Sequence, residues 1–275
     1  MPLVAMTREM GSLGKDVAAG LAQALGVPLV HHEIIDSLAD KMRLRKSHVV
    51  RLLDGQAGIV ERFTADQTSL SIYTEAELCG LAMRGKGAVI RGWGATHLFH
   101  RVAHVVRVRV CAPQALRVKR MLERLRTQDQ GFVEEEIRRS DEAQSAIMRR
   151  YFNVDWTDST HYDLVLSTER ASVAKCIEQV LDLVRAPEFA ETEGSRRALG
   201  DVALQAHVRA ALRGDQRTRE LRVEVEAANG IVKLSGLADD EDQSQAAEDL
   251  VKAVPGVAGV ASDLRAHSRI RARNA

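Results

Sequence analysis

A lysine that directly follows a glycine at the start of a helix is the first feature of this chain that can do chemistry. Gly14-Lys15 comes after a short apolar run, Pro2–Met6, and before apolar residues at helical spacing. The stretch Met6–Asp16 therefore predicts a strand, a glycine-bearing turn and the start of a helix. Backbone N–H groups in such a turn, together with the positive end of the helix dipole, bind an anion. Lys15 would reach over the outer phosphates of a nucleotide.

The stretch matches the phosphate-loop signature G-x-x-x-x-G-K-[ST] only at its end. Glu9 stands at the first glycine position, and Asp16 stands at the Ser/Thr position. An ordinary turn that opens a helix explains the same residues, so both interpretations stay open on this stretch alone. Asp16 either binds Mg²⁺ directly or is an acid favoured at a helix N-terminus.

Arginines spread over a mostly helical stretch form the second group of candidate residues. Arginine suits phosphate binding, because its planar fork binds oxygens in pairs and keeps its charge. The stretch is interpreted either as a lid that closes over phosphates or as a solvated helix face. Its members are Arg124, Arg126, Arg138, Arg139, Arg149 and Arg150, with Asp141 among them.

Short apolar strands alternate with helices from Leu3 to Val184. This alternation indicates a parallel sheet covered by helices on both faces. Ligands of such sheets bind beyond the carboxyl ends of the strands, and there the turns Thr7–Asp16 and Gly92–Ala95 should meet. The candidate nucleotide-binding residues are therefore Arg8, Gly11, Ser12, Gly14, Lys15, Asp16, Arg91 and Gly92.

The pattern changes after a polar segment, residues 186–197, that reads as a linker. A helix over 199–212 is followed by strict alternation and by Asn229-Gly230, a strong hairpin signal. A second helix and a last strand complete a small α+β module. The sequence thus predicts two separable domains, 1–185 and 198–268, and a basic tail, 269–275.

Composition and charge exclude several classes of protein. The net charge of +1 gives no support for a nucleic-acid-binding protein. No apolar run reaches membrane-spanning length, and the N-terminus lacks a signal-peptide pattern. Three widely spaced cysteines fit reduced thiols rather than a disulfide frame or a zinc site. These features predict a cytoplasmic protein without a transmembrane segment.

The C-terminal module resembles a BON domain over Leu199–Ala266. The resemblance rests on Val223-Glu224-Val225, on the run Asn229–Gly236 and on Pro255–Val260. It implies a small mixed sheet with two helices and a lipid or protein partner. Family members are mostly envelope or periplasmic, which the missing signal-peptide pattern does not match.

Residues Leu3–Val184 resemble the cytidylate kinase-like family, a branch of the P-loop nucleoside monophosphate kinases. The resemblance rests on four segments: Thr7–Lys15, Ala88–Ala95, Arg149–Trp156 and Tyr162–Thr168. It implies ATP as donor, Mg²⁺ as cofactor and a nucleoside monophosphate as acceptor, with CMP or dCMP as the first candidates. Asp16 would contact the metal, and the candidate catalytic residues are Lys15, Arg139, Arg149 and Arg150.

Several positions depart from the pattern of working kinases of this class. Asp16 replaces a hydroxyl that touches Mg²⁺, and His31-His32 stands where an acceptor-binding Asp is often found. Trp93 and Gln144 stand where arginines are common. Because phosphoryl transfer depends on positioning and charge neutralisation, three hypotheses remain: a kinase, a nucleotide sensor that acts through the BON domain, and a scaffold. Glu9, Asp16 and Gln144 favour the second and third over the first, and the retained Gly14-Lys15 and the arginine-bearing lid favour the first two over the third.

Overall fold

The computed structural model of this protein describes residues 1–30, 34–53 and 66–266. His31, His32 and the predicted basic tail, 269–275, lie outside the described residues. Two compact units make up the structure: Met1–Gln67 with Arg84–Ser195, and Thr68–Met83 with the chain from Arg196 onward.

Strands and helices alternate through the first unit, as the sequence predicts. Helix α4 stands apart, because nearly all of it belongs to the second unit. The elements in chain order are β1 (Leu3–Arg8), α1 (Gly14–Leu25), β2 (Leu29–Val30), α2 (Ile35–Met42), α3 (Lys46–Leu53), α4 (Gln67–Met83), β3 (Ala88–Arg91), α5 (Ala95–Leu98), β4 (Val105–Cys111), α6 (Gln114–Leu125), α7 (Gln130–Phe152), β5 (Leu164–Ser167) and α8 (Val173–Arg185).

The five strands form one parallel sheet in the order β2-β3-β1-β4-β5. This confirms the predicted parallel α/β sheet with its helices. β1 is the central strand and is buried along almost its whole length, because Leu3–Met6 faces helices as well as neighbouring strands. α1 packs on the sheet through Val17, Ala18 and Leu21, which recur at helical spacing and are fully buried.

The sheet brings two sequence-distant turns to one edge. Met6 of β1 pairs with Arg91 of β3, and the Gly92 N–H donates to the Met6 carbonyl at 2.8 Å. On the other side of β1, the Glu9 N–H donates to the Val110 carbonyl of β4 at 3.0 Å. The loop after β1 therefore lies between the ends of β3 and β4, as the carboxyl-edge rule predicts.

The second unit is built on a three-stranded sheet. Its elements are α9 (Glu193–Gly214), β6 (Arg222–Ala228), β7 (Ile231–Ala238), α10 (Glu241–Lys252) and β8 (Gly259–Ala266). β6 and β7 are antiparallel, and β7 and β8 are parallel. Asn229 and Gly230 both have positive φ in the β6–β7 turn, which is the geometry that an Asn-Gly hairpin requires. The core contains Val208, Val225 and Leu234.

Helix α4 is the element on which the sequence-based division into domains differs from the structure. Its Glu75 carboxylate binds Arg209 of α9 at 3.0 Å, and the Arg213 Nε donates to Ser69 Oγ at 2.7 Å. Leu78 and Cys79 of the same helix are fully buried. A helix from the middle of the predicted first domain is thus part of the second unit.

The segment predicted as a linker, 186–197, forms a 3-10 turn at Pro187–Phe189 and the first turn of α9. Thr192 and Ser195 cap that helix reciprocally, since each side-chain oxygen accepts the other residue's N–H. Ser195 is the last residue of the first unit, and its Oγ also lies 2.8 Å from His104 Nδ1 of the same unit. Hydrogen bonding therefore structures a segment whose composition resembles a linker.

Candidate functional site

The loop between β1 and α1, Glu9–Leu13, is the centre of the site and is called the phosphate loop below. Gly11 has φ +80°, and a Cβ atom there would lie 2.7 Å from the Arg117 carbonyl oxygen, so only glycine fits. Leu13 is also left-handed, with φ 59°. Ser12 is fully buried, and its hydroxyl donates to the Glu9 carbonyl at 2.8 Å. The Ser12 side chain thus braces the loop and lines neither of the cavities described next.

A cleft of about 770 Å³ opens over the phosphate loop and the first turn of α1. Gly11, Gly14, Lys15 and Asp16 line it, as does Arg8 at the end of β1. Lys15 is half-buried, and Asp16 is exposed. The structure therefore places five predicted residues around one volume at a helix N-terminus, where an anion is favoured.

Two arginines of α6 also line this cleft, four residues apart on one face of the helix. Arg120 donates to the Thr168 carbonyl at 2.8 Å and to Thr168 Oγ1 at 2.9 Å. Arg124 is exposed, and it has no ion-pair partner within the described part of the chain. The sequence analysis gives no role to Arg120 and places Arg124 in the lid. Pro113 marks the start of a helix, and the i, i+4 spacing within it could have shown that the two arginines share a face.

The cleft also carries carboxylates, which bear on the implied Mg²⁺. Asp16 lines it, as do Glu123 and Glu136. Among the described residues there is no group of three or more His, Cys, Asp or Glu side chains that could hold a metal ion. Mg²⁺ is commonly held by one or two carboxylates together with substrate phosphates and waters. The donor set of the cleft fits that kind of site.

A second, much smaller cavity of about 70 Å³ lies at the ends of β1 and β3. Arg8, Arg91, Gly92 and Trp93 line it on the sheet side, and Arg91 is buried. Gln144 is among the α7 residues that line its other side. Arg8 lines both cavities, so its side chain lies where the two volumes approach each other.

The three predicted catalytic arginines of α7 line neither cavity. Arg139 is exposed and binds Glu136 at 3.1 Å and Glu135 at 3.6 Å. Arg149 and Arg150 are exposed at the end of the helix. The structure does not bring them to the phosphate loop, and their role stays a prediction.

A histidine cluster lies beside the turn that follows β3. His97 stacks on His100 with ring centroids 4.8 Å apart, and its centroid is 5.9 Å from that of His161. It also contacts Phe152, the last residue of α7. Burial, with the positive charges of His100, His161 and Arg107, lowers the pKa of His97 to about 4. His97 is therefore neutral at physiological pH.

Comparisons with known proteins match two families to successive parts of the chain. Residues 3–170 match the model of the cytidylate kinase-like family, and residues 200–267 match that of the BON domain. Osmotically-inducible protein Y of Escherichia coli (strain K12) is 36% identical over 99 residues, or 35% of this chain. The chain thus matches about half (49%) of that relative's length.

Solved structures resemble about two thirds of the chain. An uncharacterized protein from Eubacterium ventriosum ATCC 27560 superposes with a TM-score of 0.53 at 18% identity, over 68% of this chain and 99% of that one. A shikimate kinase from Acinetobacter baumannii gives a TM-score of 0.40 at 15% identity, over 67% and 93%. These likenesses concern the fold alone. Among the described residues, no helix is both long enough and apolar enough to cross a membrane.

Proposed function

This chain belongs to the cytidylate kinase-like family, and from that premise we propose that it transfers a phosphoryl group from ATP to a nucleoside monophosphate. CMP and dCMP are the first candidate acceptors. The observation that carries this proposal is the cleft of about 770 Å³ over the phosphate loop. It combines a helix N-terminus, a left-handed glycine and a lysine at the start of α1, which together suit a triphosphate.

The donor would occupy this cleft. Lys15 would lie against the outer phosphates as a point charge, and Arg120 and Arg124 would add positive charge from α6. Asp16 would hold Mg²⁺, which when bound neutralises charge on the β- and γ-phosphates.

The acceptor would enter from the side of the small cavity. Arg8 and Arg91 supply positive charge there, and Trp93 offers an aromatic face for a base. Because Arg8 lines both cavities, its guanidinium is suited to the group in transfer. Charge neutralisation by Lys15 and Arg8 would be the main contribution of the protein, since this chemistry needs positioning more than covalent help.

A nucleotide sensor is the second candidate, and one observation favours it. Arg139, Arg149 and Arg150 line neither cavity, and Arg139 is already paired with glutamates of its own helix. A site without lid arginines would bind ATP yet stabilise the transition state poorly. The BON domain, with a protein or lipid partner, would then carry the signal.

We also propose that the protein acts in the cytoplasm. ATP and nucleoside monophosphates are available there. Cys79 and Cys176 are buried free thiols, which suits a reducing compartment.

Lys15→Ala tests the proposal. A charge-assisted contact contributes about 1.5–3 kcal/mol, so ATP affinity should fall roughly tenfold to a hundredfold. CMP affinity should change little, because a monophosphate lacks the outer phosphates. Lys119→Ala is the matched control, since Lys119 is an exposed lysine of α6 that lines neither cavity. Binding is measured by calorimetry over a range of Mg²⁺ concentrations, followed by turnover assays with CMP and dCMP.

The outcomes separate the candidates. Turnover that falls by orders of magnitude in Lys15→Ala supports the kinase. ATP binding that falls, in a protein without turnover, supports the sensor. A wild-type protein that binds no nucleotide at any Mg²⁺ concentration refutes both.

A further inference from the structure

Glu9 occupies the first position of the phosphate loop, where the usual signature has glycine, and its side chain is largely buried. One carboxylate oxygen accepts from Arg109 Nη2 at 2.7 Å, and the other accepts from the Ala112 N–H at 3.1 Å. Only 14% of the side chain is exposed. Glu9, which also lines the cleft, therefore joins the loop to the end of β4.

Arg117 of α6 joins the same loop to α7. Its Nε donates to the Met10 carbonyl at 2.7 Å, and its Nη2 lies 2.8 Å from both carboxylate oxygens of Asp141. Its Nη1 lies 3.7 Å from Glu9 Oε2. One buried guanidinium thus contacts the loop backbone, a loop side chain and the middle of α7.

A second path leads from Glu9 to Asp141. The Arg109 guanidinium lies 5.1 Å from the centroid of the Trp156 ring, and Trp156 Nε1 donates to Ser145 Oγ at 2.8 Å. Ser145 Oγ in turn donates to the Asp141 carbonyl at 2.9 Å. The two paths close into a ring, called the loop–helix ring below, of Glu9, Arg109, Trp156, Ser145, Asp141 and Arg117.

The charges of the loop–helix ring balance. Two carboxylates face two guanidiniums, and Arg109, Arg117 and Trp156 are all buried. Burial raises the pKa of Asp141, and the Arg117 guanidinium opposes that rise. Removing one charge would leave the buried charges of the ring out of balance, so the members hold one another in place.

The loop also lies directly against α6. At Gly11 there is no room for a Cβ atom beside the Arg117 backbone, so a displacement of Arg117 presses on the loop. Loop and helix are therefore coupled by contact as well as by charge.

We propose that Asp141 and Arg117 are positioning residues, which set the phosphate loop for the outer phosphates of a nucleotide and couple its occupancy to α7. This rests on the proposed function in one respect, namely that a nucleotide is what occupies the loop. The positioning itself is a property of the protein without ligand. The fluorescence of Trp156, a buried member of the ring, reports on the positioning of the loop and on its coupling to α7.

Asp141→Asn tests the positioning in the absence of nucleotide. Hydrogen–deuterium exchange of the backbone of residues 9–13 should quicken about tenfold, because the neutral side chain no longer balances the charge of Arg117. Glu142→Gln is the matched control: it removes a carboxylate one residue along the same helix, which pairs with the exposed Arg138 and lies outside the ring. If Asp141→Asn does not fold, Ser145→Ala is used instead. It is a milder variant, because it interrupts the ring without removing a charge. Loop exchange at the wild-type rate in a folded ring variant overturns the proposal.

A Trp93→Phe background, in which Trp156 is the remaining tryptophan, tests the coupling. ATP should change Trp156 emission in the wild-type ring, and the change should disappear in Asp141→Asn protein at ATP concentrations where calorimetry shows the variant saturated. A contribution to stability alone would leave the signal intact in the molecules that bind, and that result overturns the coupling. If no variant binds nucleotide but loop exchange still quickens in Asp141→Asn, the proposed function fails and the positioning is supported.

Discussion

Gly14→Ala should destabilise the first unit, although alanine is the better helix former. A Cβ atom at Gly14 would lie 2.5 Å from Arg8 Cβ, 3.2 Å from Arg8 Cγ and 3.3 Å from Val110 Cβ. The nearest of these atoms is bonded directly to the backbone of the central strand, so a rotamer change cannot move it away. α1 or β1 must shift instead.

The magnitudes of the two opposing effects decide the sign. Replacing glycine by alanine within a helix gains about 0.5–1 kcal/mol. Adding a methyl group to a close-packed contact costs about 1–3 kcal/mol. The free energy of unfolding should therefore fall by about 1–2 kcal/mol. ATP affinity should fall with it, because Arg8 lines both cavities and is the residue displaced.

Urea unfolding followed by tryptophan fluorescence measures the effect, because both tryptophans, Trp93 and Trp156, lie in the first unit. Gly131→Ala is the matched control. Gly131 is also in the first turn of a helix, but its Cβ would meet only Asp129 Oδ1, at an ordinary 3.6 Å. Gly131→Ala should be neutral or slightly stabilising. A Gly14→Ala variant as stable as the wild type would refute the claim that the close contact between α1 and β1 costs more than the gain in helix propensity.

Two further predictions concern pH and the division into units. The lowered pKa of His97 means that the unfolded chain binds a proton more readily, so stability should fall as the pH falls from about 6.5 to about 4. The full shift corresponds to about 3 kcal/mol, which we reduce to about 1 kcal/mol because the ring is only half-buried. His97→Asn should remove this part of the pH dependence of stability in urea titrations. An unchanged slope of stability against pH would contradict the assignment to His97. Fragments 1–195 and 196–275, when co-expressed, should elute as one complex, because α4 of the first fragment belongs to the unit of the second. Two separately folded species would instead favour the sequence-based boundary.

Local chemistry made most elements predictable from the sequence. Ser172, a residue type that commonly caps helices, caps α8 with its hydroxyl oxygen accepting the Lys175 N–H at 3.2 Å. Asn229-Gly230 forms the predicted hairpin turn, and the glycine-lysine pair begins α1. In each case residues close in sequence determine the backbone geometry, so no distant partner needs to be known.

Contacts between residues far apart in the sequence account for the features that could not be predicted. Arg117 reaches Met10 across 107 residues, and nothing near either residue announces the contact. The lid arginines are the opposite case. Arg138 pairs with Glu135 and Glu142 at helical spacing, so neighbours on the same helix account for an arginine that the sequence left between a lid and a solvated face.

Helix α4 has a consequence for the folding of the protein during its synthesis on the ribosome. Its Glu75 pairs with Arg209, which is synthesised 134 residues later in the chain. At about 5–20 residues per second this is a delay of roughly 7–27 s, during which the first domain can fold. Throughout that interval Arg209 and Arg213 of α9, which bind α4, are not yet synthesised. The nascent chain therefore passes through an aggregation-prone intermediate. A chaperone that shields this one helix would raise the yield of native protein.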